Sequence, residues 1–267
     1  RNLQKMEIFM CLKMKKTKVF SLITTILLAI LTLTACSNKK STTTQSSKPS
    51  AKTILAKAQT TKFSSLHATW LQTDKNNQTL QKAEASYQKK PLIIYADFAT
   101  NSNHYKMWIN SKHNYVQMQC TSSKRWFKTK LGKASSYAQL TDDLAQSALM
   151  TFSSNSAKLF KVKKAANGYT LTYSGKNKTL WSEIIKNSMI TSVIGIDTNK
   201  VKPGKVNVKI ETDKNYSLTG LTIDAAYKEN NSEKHLKMVI DKINQVSKMQ
   251  IPSSVTKSAV DLGSLSN

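Results

Sequence analysis

The feature that most restricts the fold is a series of short segments between residues 65 and 130 in which apolar and polar side chains alternate. Polar clusters such as TDKNNQ and TNSN separate these segments. Short connections join antiparallel strands, because parallel neighbours need a crossover of about a dozen residues. The sequence therefore predicts an antiparallel meander with strands at residues 65–73, 84–88, 91–99, 105–110, 113–120 and 125–130.

Three further segments have the spacing of amphipathic helices. Residues 51–63 follow Ser50, which can cap the first turn. Residues 141–152 begin Thr-Asp-Asp, and acidic side chains are favourable in the first turn of a helix. The third helical segment is residues 177–188.

The second half of the chain also contains strand patterns. Asn167-Gly168 predicts a hairpin within residues 159–174, and residues 205–247 predict three long strands. Residues 251–262 contain Pro252 and are predicted to be irregular. The pattern as a whole indicates an α+β fold built on an antiparallel sheet, with residues 51–267 forming a single domain.

Several meander strands carry apolar side chains on both faces, unlike a sheet with one solvated face. In residues 91–99, for example, Ile94 and Phe98 alternate with Ile93 and Tyr95. Two interpretations remain open: a plain core, with helices on one face and loops on the other, or a sheet curved around an apolar ligand space. In the second interpretation, we predict that Tyr95, Phe98, Trp108 and Trp126 line the ligand space.

Residues 1–35 have the layout of a secretory signal peptide. Three lysines precede an apolar run from Val19 to Leu33, which is shorter than the roughly 20 apolar residues of a membrane-spanning helix. The segment MKKTKVF from Met14 is typical of a translation start, so residues 1–13 are interpreted as untranslated. A longer basic region starting at Met6 or Met10 is the alternative.

Leu33, Thr34, Ala35 and Cys36 resemble the bacterial lipobox, in which the signal is cut before the cysteine. The resemblance implies a diacylglyceryl group on Cys36, and two acyl chains hold a protein stably in a membrane. The polar residues 37–50 then form a flexible tether, so that residues 36–50 are lipidated cysteine and linker. We expect a protein anchored by lipid to the outer face of the cell membrane.

The chain is strongly basic, with a formal net charge of +26 at pH 7. From Cys36 onward, 35 basic and 14 acidic side chains give a net charge of +21. Such an excess favours anionic partners, and wall polyanions such as teichoic acids are one candidate. Nucleic acid fits poorly, because the aromatic residues have apolar rather than basic neighbours and the protein is predicted to be exported.

The sequence contains no motif that predicts catalysis. No glycine-rich phosphate loop, GxSxG elbow or HExxH segment occurs, and the four histidines are scattered without a carboxylate at ligand spacing. We therefore expect a protein that is not an enzyme and that needs no cofactor or metal. Cys120 is the one cysteine of the predicted domain, so a disulfide framework is excluded.

The order of these features, from the lipobox and tether through the leading helix AKTILAKAQTTKF and the meander to the closing IPSSVTKSAV, is similar to LolA/LppX-like lipoproteins. The likeness is greatest to their uncharacterised Gram-positive branch. It implies a curved antiparallel half-barrel sheet with helices packed on its concave side and an apolar cavity. The function expected from it is binding or carrying of a lipid-like ligand, and the alternative is a basic module that contacts anionic wall polymers.

Overall fold

The computed structural model describes residues 48–118, 124–132, 152–186, 196 and 200–264. The signal peptide, the lipobox residues, Cys120 and all of the predicted helix at 141–152 except Phe152 lie outside these residues. Contacts between residues divide the chain into two units, Arg1–Pro49 and Ser50–Asn267. All the helices and strands described below belong to the second unit.

The helices among the described residues are α1 (Ala51–Ala58), α2 (Ser154–Ala157), α3 (Lys178–Ile185) and α4 (Ser253–Ser258). The first six strands are β1 (Ser65–Asp74), β2 (Thr79–Gln88), β3 (Ile93–Thr100), β4 (His104–Asn110), β5 (His113–Met118) and β6 (Trp126–Lys130). The others are β7 (Lys161–Ala165), β8 (Gly168–Gly175), β9 (Val201–Asp213), β10 (Leu218–Glu229), β11 (Ser232–Asp241) and β12 (Val260–Ser264).

The described strands form one twelve-stranded sheet in the order β12-β6-β5-β4-β3-β2-β1-β11-β10-β9-β8-β7. Neighbouring strands are antiparallel except for β12, which runs parallel to β6. The sheet is open and curved, and helices pack on its concave side. The predicted fold class is therefore confirmed.

Helix packing creates the main core. Ser50 caps α1 by accepting a hydrogen bond from the backbone N–H of Thr53 at 3.1 Å, and the helix buries Ile54 and Leu55. Asn177 caps α3 by accepting from the N–H of Leu180 at 2.9 Å. Each fully buried aliphatic side chain contributes about 1.5–3 kcal/mol. This apolar burial explains why two short helices stay in place on the sheet.

The tail was predicted to be irregular, and this prediction was wrong. Residues 253–258 form α4, and β12 pairs Val260 with Phe127 and Asp261 with Lys128. The Lys128 ammonium also contacts the Asp261 carboxylate at 2.8 Å. The tail itself has no clear alternation, so the strand depends on a tertiary partner: β12 occupies the edge that β6 would otherwise leave unpaired.

Candidate functional site

The register of the strands assigns side chains to the two faces of the sheet, because directly paired residues point to the same side. One continuous row crosses the sheet from β11 to β5 through paired residues. Its members are Met238, Trp70, Ala83, Phe98, Tyr105 and Met118. Met238 and Trp70 belong to the core that the helices cover, so we call this side the inner face and the opposite side the outer face.

The inner face is covered on one half of the sheet. On β10, Leu221, Ile223, Ala225 and Tyr227 alternate with more exposed residues and are all almost fully buried. The same burial extends along β1, β11, β9 and β8. This half of the inner face is a packed core.

The inner face is less covered on the other half, at β3, β4 and β5. Six apolar side chains remain only half-buried there, and we call them the inner apolar patch: Ile94, Ala96, Phe98, Tyr105, Met107 and Val116. The rings of Phe98 and Tyr105 stack with their centroids 6.3 Å apart. Half-exposed apolar groups that adjoin one another are a feature of ligand and interaction surfaces.

A polar atom without a partner lies beside this patch. Asn114 pairs with Ile109, which pairs with Ile94, so all three share the inner face. The Asn114 side-chain oxygen is buried and accepts no hydrogen bond from protein. A buried acceptor left unpaired costs about 1–3 kcal/mol, so this oxygen favours a ligand with a hydrogen-bond donor.

The four predicted lining residues divide between the two faces. Phe98 is part of the inner apolar patch, whereas Tyr95 and Trp108 pair with each other on the outer face, with ring centroids 4.7 Å apart. Trp126 pairs with Gln117 and also lies on the outer face. The structure therefore brings Tyr95 and Trp108 together but separates them from Phe98 by the thickness of the sheet.

The outer face is rich in ion pairs. His67 lies between Asp241, at 2.7 Å, and Glu84, at 3.1 Å, and His104 contacts Asp97 at 2.6 Å. Burial and the nearby Asp97 carboxylate raise the pKa of Tyr95 to about 12. These contacts are typical of a charged, hydrated sheet surface, and within the described residues no cluster of His, Cys, Asp or Glu could hold a metal ion.

A large open cleft lies where β1 begins and β2 ends. Its volume is about 890 Å³, and four of its ten lining residues are lysines: Lys62, Lys89, Lys90 and Lys248. The other six described lining residues are Phe63, Ser64, Ser65, Gln88, Asn244 and Val246, so no carboxylate is among them. We call it the lysine cleft.

Two other concave regions differ from it in size or charge. A cleft of about 540 Å³ at the opposite strand ends is lined by lysines but also by Asp74 and Glu233. Beneath it, Gln72 donates a hydrogen bond to Tyr227, and burial raises the pKa of that tyrosine to about 12. An apolar cavity between α1, Phe152 and the sheet has a volume of only about 10 Å³, which does not fit an acyl chain.

Sequence reasoning found part of the inner apolar patch and none of the lysine cleft. Strand alternation starting from Phe98 would have selected Ala96 and Ile94, which are two and four residues away in the same strand. The four lysines come from three distant parts of the chain, and nothing local marks them among the other lysines. Only the pairing of β1 with β2 and β11 brings them together.

The fold and these surfaces define an α+β protein with an open antiparallel sheet, an apolar inner patch and a basic cleft. The chain belongs to the family of unknown function DUF6612, whose model matches residues 42–260. No curated protein sequence matches the chain. The described part of the chain contains no helix that is both long and apolar enough to cross a membrane.

Several solved structures are similar to this chain, and two of them are described below. The crystal structure of the Mycobacterium tuberculosis lipoprotein LppX has a TM-score of 0.38 and 13% identity, and covers 75% of this chain and 98% of that chain. A DUF1329 family protein from Desulfovibrio piger has a TM-score of 0.22 and 7% identity, over 75% of this chain and 92% of that chain. LppX belongs to the class of lipoproteins that the sequence resemblance indicated.

Proposed function

We propose that this protein is a lipid-anchored envelope protein that binds an apolar, lipid-like ligand on the inner face of β3, β4 and β5. The observation that carries the proposal is the inner apolar patch, whose side chains stay half-buried while the inner face of β1, β8, β9, β10 and β11 is packed in the main core. The protein acts by binding, without catalysis or a cofactor.

The energetics of the patch suit an acyl chain. Each methylene removed from water contributes about 0.8 kcal/mol, so a chain that covers Phe98, Met107 and Val116 would gain several kcal/mol. The free Asn114 oxygen would accept a hydrogen bond from a hydroxyl or amide of the same ligand. An amphiphile with a long apolar part and a hydrogen-bond donor therefore matches the surface.

Native mass spectrometry of the segment Ser50–Asn267 tests this function. We expect copurifying lipid on the wild type and its loss in Phe98→Arg, because a guanidinium in the patch would have to be desolvated by the bound chain. Trp108→Arg is the matched control: it places the same charge on the outer face and should leave the lipid bound.

Both variants should unfold at temperatures close to that of the wild type, since neither site is fully buried. Lipid loss in Trp108→Arg with retention in Phe98→Arg would move the ligand to the outer face. Repeated absence of lipid from the wild type would contradict the proposed ligand altogether.

A second candidate function is that of a basic module contacting anionic wall polymers. The observation in its favour is the lysine cleft, whose described lining residues include four lysines and no carboxylate. Binding of this kind displaces counterions and weakens steeply with salt. We expect binding to isolated cell walls to fall by tenfold or more between about 50 and about 200 mM salt. Binding that stays unchanged over this range would contradict the second candidate.

A further inference from the structure

We infer that the lysine cleft is the binding site for one linear phosphate polymer chain, which lies in the cleft with successive phosphates near Lys62, Lys89, Lys90 and Lys248. This inference rests on the second candidate function and names both its site and the chemistry of its partner.

Among the described lining residues of the cleft, every charged side chain is a lysine. Its four lysines are all exposed, so their ammonium groups keep water contact and can approach an incoming anion without a large desolvation cost. Because none of the described lining residues is a carboxylate, none of them offsets the positive potential of Lys62, Lys90 and Lys248. A concave surface with charges of one sign also concentrates the field, which raises the local concentration of anions.

The backbone around the cleft is held together by hydrogen bonds between distant segments. The Ser64 N–H donates to the Asn244 side-chain oxygen at 2.6 Å, and the Asn244 N–H donates to the Ser65 carbonyl at 2.8 Å. The Lys89 N–H donates to the Ser64 carbonyl at 2.8 Å. The three segments that carry the lysines are therefore fixed relative to one another before any ligand binds, which lowers the entropic cost of binding.

The side chains at the floor of the cleft are also already paired. Gln88 donates to the Pro91 carbonyl at 3.0 Å and accepts from the Met249 N–H at 2.8 Å. Ser65 accepts a hydrogen bond from the Val246 N–H at 3.3 Å. With these polar groups satisfied within the protein, recognition is left mainly to the lysines at the rim, which bind phosphate as point charges.

The shape of the cleft favours a chain over a flat surface. A volume of about 890 Å³ is enough for a segment of several repeat units, whereas a planar bilayer would touch only the rim of a concavity. Lysines contributed by three segments around one cleft can contact several phosphates at once, which a single headgroup cannot match. The partner that fits is a phosphodiester polymer of sugar or polyol units.

The experiment uses the full lipidated chain in nanodiscs of neutral phosphatidylcholine, with a fluorescent poly(glycerol phosphate) oligomer as the probe. The cleft variant changes Lys62, Lys89, Lys90 and Lys248 to Gln. The matched control changes Lys82, Lys163, Lys237 and Lys257 to Gln, which removes the same charge from exposed positions outside the cleft. Affinity is measured by anisotropy at several salt concentrations.

We expect the cleft variant to bind at least tenfold more weakly than the control, and its plot of log affinity against log salt to be shallower by about 3, since each phosphate contact contributes about 0.7–0.9 to the slope. Suppose that both variants lose affinity for the probe equally, while the wild type still binds walls in a salt-dependent way. This result would overturn the cleft as the binding site but would leave the second candidate function standing. A wild type that binds neither walls nor the probe would overturn both.

Two competitors test the chemistry of the partner. Vesicles of phosphatidylglycerol that displace the probe better than unlabelled oligomer, at equal accessible phosphate, would overturn the polymer assignment in favour of a membrane surface. Polyglutamate that competes as well as the oligomer, at equal charge, would overturn the assignment to phosphate. Weak competition by both would support a phosphate polymer as the partner.

Discussion

At the scale of single residues, Gly168 shows how the absence of a side chain allows three strands to pack closely. It begins β8, pairs with Ala165 of β7 and faces Asp213 of β9. Its φ is +155°, and a Cβ atom built there would lie 1.9 Å from the Thr212 carbonyl oxygen. Ala166 and Asn167 form the turn without a positive φ, so the glycine is required by the close approach of β9 rather than by a type I′ turn.

We therefore predict that Gly168→Ala destabilises the protein by about 2–3 kcal/mol, because the backbone of β9 has to move away from the new methyl group. Gly132→Ala is the control, since a methyl group there has no heavy atom within 4 Å, and it should change stability by about 0.5 kcal/mol or less. Urea unfolding followed by tryptophan fluorescence measures both. Equal midpoints for the two variants would show that β9 adapts to the methyl group without cost.

At the scale of elements, the sequence predicted those strands whose own residues show the alternation of apolar and polar side chains. The hairpin β7–β8 and the long strands β9, β10 and β11 were confirmed, because each carries its own alternation and turn residues. β12 was missed, since Val260 pairs with Phe127, more than a hundred residues away. Residues whose partners are that distant give no local sign of the pairing, so a strand made by tertiary contact alone is not predictable from its own residues.

The same reasoning explains what could be predicted of the candidate site. The aromatic residues of the sequence indicated β3 and β4 as the strands that carry the site. In the structure, both strands carry apolar side chains on both faces of the sheet. Composition does not assign faces, whereas the two-residue period does, and it separates Phe98 from Tyr95 and Trp108. Predictions of a strand-borne site should therefore begin from register and only then consider residue type.

The two edges of the sheet are protected from pairing with another sheet in different ways. β7 is the outermost strand on its side of the sheet, and three of its five residues are lysines. Charged side chains on an edge strand oppose pairing with a second sheet, because two such edges repel each other. At the other edge, β12 covers β6. The open sheet therefore has one edge protected by charge and one protected by an added strand.

At the scale of the whole molecule, the proposed functions need the protein to stay near the membrane. The 14 residues from Ser37 to Ser50 are polar, and a flexible chain of this length has a root-mean-square span of roughly 20 Å. With the proposed lipid anchor on Cys36, such a tether would keep the apolar patch and the lysine cleft within a small volume at the membrane surface. The effective concentration of envelope ligands would then be far higher than for a freely diffusing protein.

This arrangement depends on Cys36, so we predict that Cys36→Ser abolishes stable membrane attachment. Without a thiol, no diacylglyceryl group can be added, and the two acyl chains that would hold the protein are missing. Fractionation of cells, with intact mass measured on both fractions, should find the variant released into the soluble fraction or retained as an uncleaved precursor. Cys120→Ser is the control, because it removes the one other cysteine that follows the predicted signal. This variant should remain in the membrane fraction with lipid attached. A Cys36→Ser protein that is cleaved after Ala35 and still fractionates with the membrane would contradict the anchor and leave surface charge as the means of attachment.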